Sequence, residues 1–310
     1  MAAVTEDFVP PVPSSAPEPD PTTATTPTGR WGRFWFSFKH FVRSQPLGVI
    51  SAVIILILLL AAIFAPVLAT QDPNMLGRRS QLDPPSMEHY FGTDELGRDI
   101  YSRVLYGSRI SLIVATTTVV VASVFGTLLG AASGFFGGAV DQIIQRVVDA
   151  VMSIPVIILA LFIVALMGSS LRNVVVALAV VYIPRFARIA RGEMLRVKNA
   201  EYVVAADALG SKPWRTIRRH GIPNIVAPLI ILASLTFGQA IIAEAALSFL
   251  GMGAPITDPS WGQMLSRASE YTRVAWWGVL FPGAALSLAV LAFNLLGDSL
   301  RDHLDPKLVR

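Results

Sequence analysis

The hydrophobic positions of this chain fall into long unbroken blocks, without the alternation or one-sided periodicity of a water-soluble core. Uncharged apolar runs extend over Ser44–Gln71, Ile110–Val140, Ala150–Leu171, Gly221–Ala243 and Val274–Gly297. Each is as long as the roughly 20 residues that a helix needs to cross a bilayer core, which predicts five spans. A sixth run, Leu171–Ile189, is interrupted near its end by Arg185 and Arg188. Charge decides whether it counts. The segment from Arg185 to Arg219 carries nine Lys/Arg against three acids, Glu193, Glu201 and Asp207. With six spans and a cytoplasmic N-terminus, that segment lies inside, together with the N-terminal flank and Arg301, Lys307 and Arg310. This arrangement puts 17 of the 25 basic residues inside and 8 outside. Five spans would turn the densest basic loop outward, against the positive-inside bias. The expectation is an all-α polytopic membrane protein of the cell membrane, with six transmembrane helices and both termini cytoplasmic. Arg185 and Arg188 are expected to snorkel from the inner end of a tilted fourth helix.

The segments between the blocks fix the organisation. Residues 1–29 hold seven prolines between Pro10 and Pro27 among Thr, Ser and Ala, a composition predicting a disordered cytoplasmic tail. Residues 30–44 mix Trp31, Phe34, Trp35, Phe36, Phe38 and Phe41 with Arg30, Arg33, Lys39 and Arg43, which predicts an interfacial helix. Residues 45–71 form the first span, 72–109 an extracytoplasmic loop, 110–304 the core with five further spans, and 305–310 a cytoplasmic tail. The composition, 53% hydrophobic and 15% charged, agrees with a lipid-dissolved chain. The net charge of +4 is spread over the loops, so it reads as orientation in the membrane and not as nucleic-acid binding. The absence of cysteine excludes disulfides, thiolate metal sites and cysteine nucleophiles.

Signals of catalysis are missing. His40, His89, His220 and His303 make no metal-ligand spacing, and there is no Gly-x-Ser-x-Gly elbow or phosphate-binding Gly-Lys-Ser/Thr loop. No cofactor or metal is therefore expected on this chain, and it is not expected to hydrolyse ATP. The carboxylates Asp149, Glu244 and Asp298 lie near span ends, whereas ion-driven carriers usually place one near the midplane. For Glu244 two roles stay open: a gate or substrate contact, or a contact with a partner subunit. The Asp94, Glu95 and Asp99 cluster lacks the full ligand set of a calcium loop. It reads instead as a turn tied by carboxylates that caps the second span.

The informative segment runs from Asn199 to Asn224. Its pattern predicts two short helices hinged at Gly210 in a left-handed cap. Ser211 stands at the start of the second helix, and Pro223 is expected to end it before the fifth span. Ala205, Ala206 and Ala208 form a small-residue patch on the first helix.

This segment resembles the EAA loop of ABC-importer permeases. Ala205, Ala206, Gly210, Ile222 and Pro223 match, while Val204 stands where the family has Glu and His220 where it often has Ile. Glu201 or Asp207, one turn either way, would substitute for the missing carboxylate. Further segments are similar to the C-type dipeptide/oligopeptide permeases: Phe91–Asp99 with Ser102–Leu112, Glu244–Gly251, Pro259–Leu265 and Asn294–Pro306. The resemblance implies the type I ABC-importer permease fold with a cytoplasmic coupling helix. It implies Glu201, Ala205, Ala206, Asp207, Gly210, Trp214 and Pro223 as the ATPase-coupling set. Asp94, Arg98, Asp99 and Trp261 become candidate contacts for an extracytoplasmic solute-binding protein. The implied partners are a second homologous permease, two ATPase subunits that hold ATP and Mg, the binding protein, and a peptide-like substrate in a lipid membrane, with no nucleic acid. The alternative is an ATP-independent secondary carrier or channel, with a membrane enzyme third.

Overall fold

The computed structural model describes residues 45–77, 80–253, 255 and 257–304. The expected disordered tail 1–29, the interfacial helix 30–44 and the tail 305–310 lie outside the described residues. All the extended elements among the described residues are helical.

Helix α1, Pro46–Ile63, begins with a proline whose missing N–H falls where the helix has no use for one. It bends at Phe64 into the single turn α2, Ala65–Leu68. Helix α3, Ile100–Phe136, spans 37 residues, about 55 Å at 1.5 Å per residue. It starts well before Ile110, so the end of the expected 72–109 loop is helical. The extra turns form because Asp99 caps them and because Ile100, Ser102, Arg103 and Gly107 are buried by the preceding loop and by residues 259–277.

The third block departs most from its expected form. In place of an unbroken run over Ala150–Leu171 there are α4, Gly138–Met152, and α5, Val156–Met167, bent by 92° at Ser153–Pro155. Pro155 cannot donate to the ladder, and its ring drives the preceding residue out of the α region. Twelve residues of α5 reach about 18 Å, short of a 30 Å hydrocarbon core. Among the described residues, five helices are each long and apolar enough to cross a membrane, and six crossings result where the bent pair counts as one broken span.

Helix α6, Leu171–Lys198, continues past its expected end near Ile189 and absorbs the start of the expected inner loop. Basic residues of this stretch are tied to oxygens of other segments. Arg191 donates a fork to Asp141 at 2.5 and 2.6 Å, Arg188 donates to Asp149 at 2.6 Å, and Arg185 donates to Gln239. Lys198 donates to the Phe135 carbonyl at 2.6 Å, while Ala187, Ala190, Met194 and Val197 pack inward. The remaining elements are α7, Glu201–Ala208; α8, Pro213–Thr216; α9, Ile222–Phe249; α10, Trp261–Ala268; and α11, Trp277–Leu304. Asp298 and Arg301 of α11 stand exposed without pairing to each other.

The body of the molecule is organised on a glycine seam. Gly126, Gly130 and Gly134 repeat every fourth residue along one stripe of α3, facing Phe186, Ala187, Ala190 and Met194 of α6. A Cβ on Gly130 would stand 2.2 Å from the Ala187 carbonyl oxygen, and one on Gly126 would stand 2.4 Å from the Phe186 Cβ. The two helices therefore meet backbone to backbone. That is how helices associate in lipid, where burial of apolar surface alone gives them no preference for one another.

Candidate functional site

The helices alternate in direction, so the connections gather at two ends. One end holds 70–99, α10 and the start of α11; the other holds 199–221.

At the second end, α7 and α8 project as a short hairpin hinged at Gly210, whose φ is +80°. That left-handed conformation suits glycine. The helix α7 is fastened by one deeply buried side chain, Val203, which joins Met194, Val197 and Ile217 in the core. The rest of the hairpin faces outward. Tyr202, Val204, Leu209 and Trp214 are exposed, Leu209 at 90% and Trp214 at 64%. Ala205 and Glu201 are exposed as well, Ala206 is half-buried, and Asp207 lies within α7. Three of these apolar groups on the two short helices, with Leu209 in the turn between them, form an exposed apolar surface at one end of the bundle. The Ser211 hydroxyl accepts from Thr216 Oγ1 at 3.1 Å and braces the turn behind the hinge.

Pro223 does not end a helix, contrary to expectation. The chain runs on from Trp214 to Phe249 as one helical path through a π-helical turn at Ile217–Gly221. The Ile222 N–H donates to the Ile217 carbonyl five residues back, and the widened turn makes room for the proline ring. The Asn224 side-chain amide donates to the His220 carbonyl at 2.6 Å, bonding it from beyond the proline. The hairpin is thus joined to α9 by continuous helix and to α6 through Asn199–Ala200.

At the opposite end, the candidate binding-protein contacts are mostly internal ties. Asp99 is 1% exposed and accepts from the Ser102 N–H at 2.8 Å, the Ser102 hydroxyl at 2.7 Å and Thr70 Oγ1 at 3.1 Å. It also meets His89 Nδ1 at 3.1 Å and caps α3 as expected. Asp94 accepts from the N–H groups of Leu96 and Arg98 and from Arg98 Nε at 2.7 Å, closing the turn. The buried Arg98 also reaches Glu95, which accepts from Arg267 of α10 at 3.0 Å. Trp261 is fully buried; its Nε1–H donates to the Val104 carbonyl at 3.0 Å and its ring lies over Gly107. Arg98, Asp99 and Trp261 thus present no surface of their own, and Asp94 presents little. Their burial depends on tertiary neighbours far along the chain, which the local motif does not reveal.

Because Asp99 serves four groups, an Asp99→Ala change removes a helix cap and leaves buried donors without an acceptor. The expected cost is about 2–4 kcal/mol. Limited proteolysis of the purified protein should show earlier cleavage within 70–99 than in the wild type, while α6 and α9 stay protected.

Glu244 sits on α9 at 1% exposure, where it accepts from Ser111 of α3 at 2.9 Å and from Ser248 at 2.7 Å. Its carboxylate is satisfied within this chain, as a tie between α3 and α9. Ser111 lies within the Ser102–Leu112 segment, which gives no sign of its role toward Glu244. The glycine stripe of α3 is legible in its four-residue spacing.

Comparison with known proteins agrees with this architecture. Residues 126–310 match the family of binding-protein-dependent transport system inner membrane components. Residues 29–85 match the N-terminal TM domain of oligopeptide transport permease C. A dipeptide transport system permease protein of Alkalihalophilus pseudofirmus is 43% identical over 298 residues, 96% of either chain. A probable D,D-dipeptide transport system permease protein of Escherichia coli is 46% identical over 266 residues, 86% of this chain and 89% of its own. A glutathione transport system permease protein of Pectobacterium atrosepticum is 42% identical over 279 residues, 90% of this chain and 91% of its own. The chain belongs to the binding-protein-dependent transport system inner membrane components, the non-catalytic, multi-pass permease subunits of ABC importers.

Proposed function

We propose that this permease forms one half of a translocation pathway for small peptides, and that ATPase subunits drive it through the hairpin of α7 and α8. The observation that carries this reading is the exposed apolar surface of Tyr202, Val204, Leu209 and Trp214, on a hairpin joined to α6 by the two-residue turn Asn199–Ala200 and to α9 by continuous helix. The peptide cargo is suggested by the dipeptide, D,D-dipeptide and glutathione systems of the relatives. A second permease completes the pathway, two ATPases dock on the cytoplasmic side, and a solute-binding protein delivers cargo from outside. Closure of the ATPases on ATP moves each hairpin as a rigid body and biases the paired permeases between inward- and outward-open states. The permease moves its cargo without chemical change.

The hairpin can receive ATPases only if it and both termini are cytoplasmic. Single cysteines introduced into this cysteine-free chain test that orientation. Cysteines at Ser86 and Ser269 are expected to react with a membrane-impermeant thiol reagent in intact cells, and those at Ser14 and Ser211 only after permeabilisation. Labelling of Ser211 from outside would sink the orientation and the coupling role with it.

A further inference from the structure

The fourth helix carries a charge that the docking hairpin does not use. Arg185 lies 14 residues beyond Leu171, about 21 Å along a helix of 28 residues, and so at its middle. An ionisable side chain on a membrane-crossing helix is costly and marks a functional position by default. Among the described residues, no carboxylate stands within ion-pair distance of it. The neighbouring basic groups on α6 are neutralised, Arg188 by Asp149 and Arg191 by Asp141. Glu244, on the same helix as Gln239, is turned into the bundle and held by Ser111 and Ser248. The partner of Arg185 is the neutral Gln239 side chain, which accepts one hydrogen bond and leaves the charge uncompensated.

Arg185 and Gln239 line a cavity of about 450 Å³ at the bend between α4 and α5. Its other walls include Val151, Ile157, Ile242 and Tyr182. The volume falls within the range of small-ligand sites, and so does the make-up: apolar walls with a few convergent polar groups. A guanidinium presents a planar fork of donors that matches a carboxylate in two parallel bonds.

We propose that this cavity is a transit subsite of the pathway, in which Arg185 receives the terminal carboxylate of a peptide and the apolar walls accept its side chains. The proposal deepens the peptide-import reading and rests on it. Gln239 holds the guanidinium in place between passages and yields its bond when a carboxylate arrives. A neutral partner suits a transit site, because a resident carboxylate would compete with the cargo.

The test uses the assembled transporter in proteoliposomes, supplied with its binding protein at saturating peptide. Uptake of trialanine is compared with uptake of its C-terminal amide. Arg185→Gln is expected to lower trialanine uptake roughly tenfold or more, the loss of a charge-assisted pair, while leaving amide uptake near wild type. Arg185→Lys should retain part of the free-acid uptake. Gln239→Glu leaves Arg185 in place but supplies a resident carboxylate, and it should give the same selective loss. Equal losses for acid and amide in the Gln and Glu variants would overturn the proposal and point to a structural pair with the second permease. Unchanged uptake in both variants would overturn it as well. Failure of the wild-type complex to import either peptide would instead strike the peptide reading itself.

Discussion

A Gly130→Leu permease is expected to fail to fold in the membrane, with at least a tenfold loss of monodisperse protein on detergent extraction. At this position even a Cβ would lie 2.2 Å from a backbone oxygen of α6 and 2.7 Å from the Ala190 Cβ. Neither neighbour is a flexible side-chain end that can swing away. Over-packing a core ordinarily costs about 1–3 kcal/mol. Here the whole of α6 must move off α3, so the cost should exceed that range and consume much of a typical stability of about 5–15 kcal/mol. Gly192→Leu is the control. It lies on α6 beside the same seam, yet nothing stands within 4 Å of its added Cβ. A helix former there should be neutral or slightly stabilising. Size-exclusion profiles of the two variants decide the matter, and equal recovery would remove the seam from the account of the fold.

The second large effect concerns the hairpin. Ala206 is half-buried between the exposed Ala205 and Ala208, and Val203 is the side chain that fastens the helix, so an arginine at 206 can be accommodated by this chain alone. The conflict arises when a partner's groove closes over it. A desolvated, unpaired charge added to an overfilled contact should weaken ATPase docking tenfold or more. Gly210→Val acts by another route. Its added Cβ meets open space, so crowding plays no part, and the penalty is backbone alone. A β-branched residue resists φ of +80° at a cost of about 1–2 kcal/mol, which swings α8 out of line with α7. In both variants, peptide uptake and peptide-stimulated ATP hydrolysis should fall together while the binding protein still docks. Ser211→Ala gives up a single hydroxyl contact to Thr216, worth about 1 kcal/mol, and should be mild. An Ala206→Arg complex that assembles and transports at the wild-type rate would favour the carrier-or-channel alternative.

Much of this molecule is legible in the order of its residues. Apolar runs and the placement of basic residues suffice for six crossings, because lipid enforces both with little tertiary detail. The Gly210 hinge and the Asp99 cap follow from local chemistry, a left-handed glycine and a capping carboxylate. Two features were readable but lie outside a count of apolar residues. Pro155 announces the bend between α4 and α5, and the Gly126, Gly130 and Gly134 spacing announces the seam. Others depend on contacts that no local pattern contains. Arg185 and Arg188 interrupt an apolar run, and Arg191 follows them in the basic segment, a pattern that reads as the end of a helix. They continue it because Gln239, Asp149 and Asp141 come to meet them from distant segments. Trp261, a candidate binding-protein contact, is instead buried over Gly107, and Pro223 is carried by a π-turn.

The central claim is that the α7–α8 hairpin is where ATP-driven motion enters the permease. The most direct measurement is disulfide cross-linking from a single cysteine at Ala206 to single cysteines on the facing surface of an ATPase subunit, in the assembled transporter. The account predicts a cross-link whose yield changes between nucleotide-free and ATP-bound states, with uptake blocked while it is closed and restored by reduction. Uptake that proceeds at the wild-type rate through the cross-linked complex, or a cysteine at 206 that meets no ATPase in any nucleotide state, would contradict it.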